Sequence, residues 1–199
     1  MHPRRLAPLA LMLALAAAPA RSEPSPLSAE IATTGIAATE ARLAALPDPT
    51  PPDLFALAGL RFLSGVEAAL QLRWQTGVRA DWSELPILRL PIPENPAPRP
   101  FVGADIATLL TGLEADMAAA QASLSTLGDR DFALEIAVSD LWFDINTNGT
   151  RDSGEDLSSV AGMALGARGI AQLDVIAPTI RFDTADAAWL SAYTHFLSA

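Results

Sequence analysis

The chain contains neither cysteine nor lysine, and these two absences remove more chemistry than any other feature of its composition. Without cysteine there is no disulfide framework, no cysteine zinc site and no thiolate nucleophile, so stability rests on packing or on a bound metal. Without lysine there is no Schiff-base residue, no Ser–Lys dyad and no P-loop lysine. All 13 basic residues are arginine. Histidine is nearly missing too, with two in the chain, His2 and His195. A Ser-His-Asp triad would have to use His195, yet no G-x-S-x-G or H-E-x-x-H stands anywhere. Nor is there a long apolar run. The longest, Leu6 to Ala18, falls short of the ~20 residues that span a bilayer.

That run follows Met1-His2-Pro3-Arg4-Arg5 and precedes Ala18-Pro19-Ala20. A basic start, a short apolar centre and a small-x-small site are the parts of a secretory signal peptide. Residues 1–20 are therefore expected to be a cleaved leader, and the protein periplasmic or secreted. No cysteine follows the site to carry a lipid anchor. Removing Arg4 and Arg5 leaves eleven arginines against 23 acids, a net charge near −12. Such a surface repels nucleic acid and anionic lipid and attracts cations. Abundant alanine with arginine in place of lysine matches the usage of GC-rich bacterial genomes, by association, and a bacterial envelope is the expected destination.

The remaining residues suffice for one domain. Residues 21–27 are Ser/Pro-rich and expected to be loose, and 28–199 to form a single helical domain. A first helix is predicted from Ser28 as N-cap to Leu46, with Ile31, Ile36, Leu43 and Leu46 on its apolar face. Pro47 to Pro52 is a turn. A second helix runs from Asp53 to about Gly77, with a polar stripe of Ser64, Glu67, Gln71 and Gln75 opposite Phe55, Phe62, Leu63, Val66 and Leu70. Six prolines, at 86, 91, 93, 96, 98 and 100, make residues 80–101 an extended crossover. Its Leu85, Ile87, Leu88, Leu90 and Ile92 press it against the helices.

A third helix carries Ile106, Leu110, Leu113, Met117, Ala120, Leu124 and Leu127 in four-three alternation, a seam for another helix, more often of the same chain than of a second copy, closed by Gly128. Residues 131–143 fit two patterns. Phe132, Leu134, Ile136 and Val138 alternate as in a strand, whereas Leu134, Val138, Leu141 and Ile145 share a helical face. A helix is predicted over 154–165, a short strand at Ile180-Arg181-Phe182, and a last helix capped by Asp183. That last helix is expected to be buried through Trp189, Leu190, Tyr193, Phe196 and Leu197. The fold class is mostly α: a helical bundle with a proline-rich crossover, one loop of special spacing and room for a short two-stranded β pairing.

That loop is Asp144-Ile145-Asn146-Thr147-Asn148-Gly149-Thr150-Arg151-Asp152-Ser153-Gly154-Glu155. Calcium is a hard cation that takes six to eight oxygens, and a coiled twelve-residue loop brings them in from alternate positions. Asp144, Asn146 and Asn148 stand at positions 1, 3 and 5, Gly149 at the sharp turn, and Thr150 where a backbone carbonyl binds. Asp152 stands at position 9 and Glu155 at the closing position 12. The stretch resembles the loops of EF-hand and dockerin-type proteins, and that resemblance implies Ca2+ on these six residues. It is also similar to the D-x-N-x-N-G-x-x-D-x-G-E loop of bacterial cell-surface β-sandwich repeats, in which a Trp precedes the first Asp by two, as Trp142 does here. Both likenesses stop at the loop. Paired EF-hands put an aliphatic residue where this chain has Arg151, and the sandwich repeats continue with glycines and alternating valines instead of Leu157-Ser158-Ser159-Val160-Ala161. A solitary loop within a helical protein is expected.

Extracellular calcium sites often have dissociation constants of ~10⁻⁴–10⁻³ M, so the ion serves as a staple more readily than as a signal. The expected function is an exported, calcium-stabilised helical module that binds a protein or an envelope polymer. Two alternatives stand beside it: a hydrolase of an envelope polymer using paired carboxylates, and the N-terminal part of a larger exported protein, which the uncapped end at Ala199 permits. The cluster Arg73, Trp74, Arg79 and Trp82 suits a sugar or an anion. It suits equally the end of the second helix packed under the proline segment.

Overall fold

The computed structural model describes residues 23–78, 90–160 and 179–198. The expected leader at 1–20, Arg79 and Trp82, the first part of the proline crossover and the predicted helix beyond Val160 lie outside the described residues. What is described is mostly helical with one short antiparallel sheet: α1 (Pro26–Ala44), α2 (Pro51–Thr76), α3 (Gly103–Leu127), β1 (Leu134–Ala137), a 3-10 turn (Val138–Asp140), β2 (Thr179–Phe182) and α4 (Thr184–Leu197). Among the described residues no helix is long and apolar enough to cross a membrane.

Helix α2 occupies the centre, packing against α1 on one side and α3 on the other, with α4 behind. It starts two residues earlier than expected. Thr50 is the cap, and the Asp53 carboxylate reaches back to accept from Thr50 N–H at 2.9 Å, so Asp53 closes a capping box instead of opening the helix. Gly77, at φ 66, ends it in the left-handed conformation that glycine adopts freely. Contact with α3 is close at Gly65, where a Cβ would lie 2.6 Å from Leu113 Cδ1.

Helix α1 differs from expectation at its start and in its middle. Ser25, not Ser28, is the cap. Ser28 is buried, donates its hydroxyl to Asp140 Oδ2 and accepts from Ala137 N–H at 2.9 Å, which ties the first helix to the end of β1. At Gly35 the helix kinks, with φ 78 and ψ −179. The indole of Trp142 fills the inside of that kink and donates Nε1–H to the Ile31 carbonyl at 2.9 Å, while the buried Thr39 hydroxyl donates to the Gly35 carbonyl at 2.7 Å.

The segment 131–143 resolves its ambiguity in favour of the strand. Leu134 to Ala137 pair antiparallel with Phe182 to Thr179, setting Glu135 opposite Arg181. Phe55 on α2 packs against Phe132 and Phe182, with ring centroids 4.9 and 5.4 Å apart, which holds the sheet on the bundle. The predicted helix at 154–165 starts later, at residue 157, because Asp156 first bridges to Trp142. Leu90 and Ile92 pack on the core as expected, and Arg73 donates to the Leu90 carbonyl at 2.9 Å. Of the Arg/Trp cluster, Arg73 and Trp74 are thus packed against the proline segment.

Two apolar faces are not buried as expected. On α3 the seam is partly covered at Leu113 and buried from Met117 to Leu127, and Ile106 and Leu110 face solvent. On α4 Leu190 is buried with Ala187 and Thr194, whereas Trp189, Tyr193, Phe196 and Leu197 are exposed. Both departures have one cause. Helical periodicity reveals that a face is apolar, and tertiary placement decides how much of it finds a partner.

Gly35 and Gly112 yield opposite predictions. A Cβ on Gly35 would lie 2.8 Å from Trp142 Cζ2, in a left-handed backbone. Gly35→Ala is therefore expected to cost about 2–4 kcal/mol. A Cβ on Gly112, inside α3, meets nothing within 4 Å, and Gly112→Ala is expected to gain about 0.5–1 kcal/mol. Urea denaturation of the two variants against the parent measures both.

Candidate metal centre

The loop 144–155 is tied off at its base by its own stems. Phe143 N–H donates to the Glu155 carbonyl and Leu157 N–H to the Leu141 carbonyl, each at 2.9 Å. Arg151, the departure from the EF-hand pattern, pairs with Asp156 and donates to the Ser139 carbonyl at 2.8 Å, so it clamps the loop to the 3-10 turn. The backbone takes left-handed values at Thr147, Gly149 and Gly154, with φ of 59, 74 and 92, which coil the chain tightly around its own side chains.

Inside that coil the carboxylate of Asp144 accepts from Asn148 N–H and Gly149 N–H, both at 3.0 Å. Asn146 Oδ1 accepts from Asn148 N–H at 3.0 Å, and Asn148 Oδ1 from Thr150 N–H at 2.8 Å. Asp152 Oδ2 accepts from both Asn146 Nδ2 and Asn148 Nδ2 at 2.7 Å, and these two amides hold its pKa below the usual value. Asp144, Asn146, Asn148 and Asp152 are thus brought together in one network. Thr150 sits at its edge, its hydroxyl donating to Asn148 Oδ1 at 2.7 Å.

Glu155 lies on the inner side and is wholly buried. One carboxylate oxygen accepts from Ile145 N–H at 3.0 Å and Asn146 N–H at 3.3 Å, the other from Asp152 N–H at 2.8 Å. Burial pushes its pKa up, against the pull of those three donors. The acids Asp144, Asp152 and Glu155 do not stand as a ready group. Among the described residues no three His, Cys, Asp or Glu side chains are arranged to hold a metal ion. Their oxygens face the donors of the loop itself.

Two residues of the α2 polar stripe, not expected at the loop, meet its backbone. Glu67 on α2 accepts from Asp144 N–H at 2.9 Å, and Gln71, one turn on, donates to the Asp144 carbonyl at 2.9 Å. Glu67 is buried, and its pKa is pushed up to about 7, first by burial and then by the nearby charges of Asp144, Glu155 and Glu40. Ser64, of the same stripe, donates to Glu40 at 2.9 Å. The polar stripe of α2 therefore points inward. Its signal was present, since a polar row on an otherwise apolar central helix has to meet polar groups inside.

Behind the loop lies an apolar cavity of about 620 Å3, walled by α2, the sheet, α4 and the loop stems through Leu141 and Leu157. Among the described residues that line it Asp186 is the one acid, and its carboxylate accepts from Asp183 N–H at 2.8 Å. Paired carboxylates across a cleft, which a two-acid hydrolase requires, are not found among those lining residues. No family model matches the chain, and neither does a curated protein or a solved structure.

Replacing Glu155 tests the staple apart from any ion. With a chelator present, Glu155→Ala leaves three backbone donors unmet in a buried place and is expected to cost about 3 kcal/mol or more. Glu155→Gln, keeping one acceptor oxygen, is expected to lose less. Chemical denaturation of both variants in chelator measures the difference.

Proposed function

We propose that residues 144–155 hold a calcium ion through Asp144, Asn146, Asn148, Thr150, Asp152 and Glu155, and that the ion stabilises an exported helical module that binds a protein or an envelope polymer. The observation that carries this reading is the gathering of Asp144, Asn146, Asn148 and Asp152 into one tight network of oxygen-bearing side chains. Each is a hard ligand, the type calcium selects over zinc or copper. A bound calcium supplies positive charge beside carboxylates that otherwise repel one another.

The residues of the chain do the rest. Gly149 and Asp144 set the turn, and Asn146 Oδ1, which accepts one N–H, keeps a second lone pair for a cation, whereas Asn148 Oδ1 has to release the Thr150 hydroxyl first. Binding requires Asn146 and Asn148 to give up their bonds to Asp152, and Glu155 to trade N–H donors for the ion. Glu67 and Gln71 hold the Asp144 backbone from behind and anchor the loop to the central helix. Because the stems also wall the cavity, whatever steadies the loop steadies that cavity.

Titration calorimetry with calcium on the purified chain, followed by melting curves, tests the proposal. Free calcium at ten times the dissociation constant adds about 1.4 kcal/mol, and at a hundred times about 2.7 kcal/mol. The expected result is heat on titration and a higher melting temperature, both lost in Asp144→Ala. Identical melting curves with calcium and with chelator overturn the reading.

A further inference from the structure

The exposed side of α4 is a continuous apolar ledge. Trp189, Tyr193, Phe196 and Leu197 recur at helical spacing and are 57%, 44%, 77% and 41% exposed. The buried side, Ala187, Leu190 and Thr194, meets the core, and Gln121 Nε2 donates to Ser198 Oγ at 3.1 Å to fix the helix end on α3. The Trp189 and Tyr193 rings stack with centroids 4.1 Å apart, which orders the ledge before anything binds. Residues 187–198 contain no Asp, Glu or Arg, in a chain with 23 acids and 13 arginines. Aromatic enrichment with charge depletion is the composition of an interface centre, and an apolar patch of this kind marks an interaction site.

The ledge leads to the rim of the apolar cavity, which Trp189 lines together with Phe55, Gly59, Phe62 and Leu157. A protruding ring and a hole of matching chemistry thus share one face. A cavity of about 150 Å3 already admits a benzene ring, and this one holds about 620 Å3.

We infer that this face receives a second copy of the chain, with the two α4 helices antiparallel and Phe196 of each copy entering the cavity of the other beside its Trp189. A two-fold axis between Ala192 and Tyr193 places 196 opposite 189 in both directions, as an isologous contact requires. Ala192, small and exposed, lets the helices approach. At the observed exposures three aromatic rings and Leu197 offer roughly 400–500 Å2 per copy. With the cavity walls the total comes to roughly 1,000 Å2, the lower end for a specific interface, which makes a reversible dimer. A lipid surface fits less well. Helices that lie in membrane interfaces set Lys and Arg beside their aromatics; α4 has neither, and the chain carries a net charge of −10.

Sedimentation velocity on the purified chain from about 1 to about 200 µM tests this, and the average mass is expected to rise toward twice the monomer. Phe196→Asp charges the ring position. Gly59→Leu fills the cavity from within, at a site where a Cβ meets nothing within 4 Å. Each is expected to weaken association at least about tenfold, the equivalent of 1.4 kcal/mol, with circular dichroism unchanged. Leu110→Asp, on an exposed apolar position of α3, is expected to leave association intact. A chain that stays monomeric throughout overturns the inference, as does dimerisation of Phe196→Asp at the parent level. Association lost in Phe196→Asp but kept in Gly59→Leu overturns the ring-in-cavity contact. A monomer that floats with neutral vesicles assigns the ledge to lipid and overturns the second copy.

Discussion

Two carboxylates buried against one stretch of backbone fix the centre of this molecule. Glu67 comes from α2 and Glu155 from the end of the loop, and between them they accept N–H bonds from Asp144, Ile145, Asn146 and Asp152. Burying an anion is costly unless donors or a cation compensate. Here the compensation is a row of neutral amides, and the raised pKa values of both groups show that it is incomplete. The arrangement specifies position strongly, because any slip of the loop strands an anion away from water.

Around that centre the remaining contacts serve alignment. Arg151 binds the outer edge of the loop to the 3-10 turn, and the stems pair before the chain enters its next helical turn. Trp142, two residues before the first loop aspartate, wedges into the kink of α1. A disturbance of the loop base is therefore felt at α1, at the sheet and at the cavity wall together.

The loop's internal network was legible in the sequence because twelve consecutive residues contain both the turn and the oxygens, whereas its ties to Glu67 and Gln71 on α2 were not. The helices were legible from periodicity, and their ends from Gly77, Gly128 and Asp183. What escaped was placement. The stripe of Ser64, Glu67 and Gln71 was read as polar but not as inward-facing, because its partners, Glu40 and Asp144, lie far along the chain. The kink at Gly35 follows two threonines, Thr33 and Thr34, whose hydroxyls turn back onto the Ala29 and Glu30 carbonyls. That poor helical run was visible, whereas the indole that exploits it was not. The α4 ledge differs from expectation for the opposite reason: its stripe suits a core, and the core ends before reaching it.

Beyond its packing on α2, α1 is held by ties that span more than half of the chain. Ser28 waits for Ala137, 109 residues later, and Ile31 for Trp142, 111 residues later. At the pace of a ribosome that separation amounts to roughly 5–20 s. For that interval the first helix has α2 as its partner, through Glu40 with Arg61 and Ser64, while its start and its kink wait for residues not yet made.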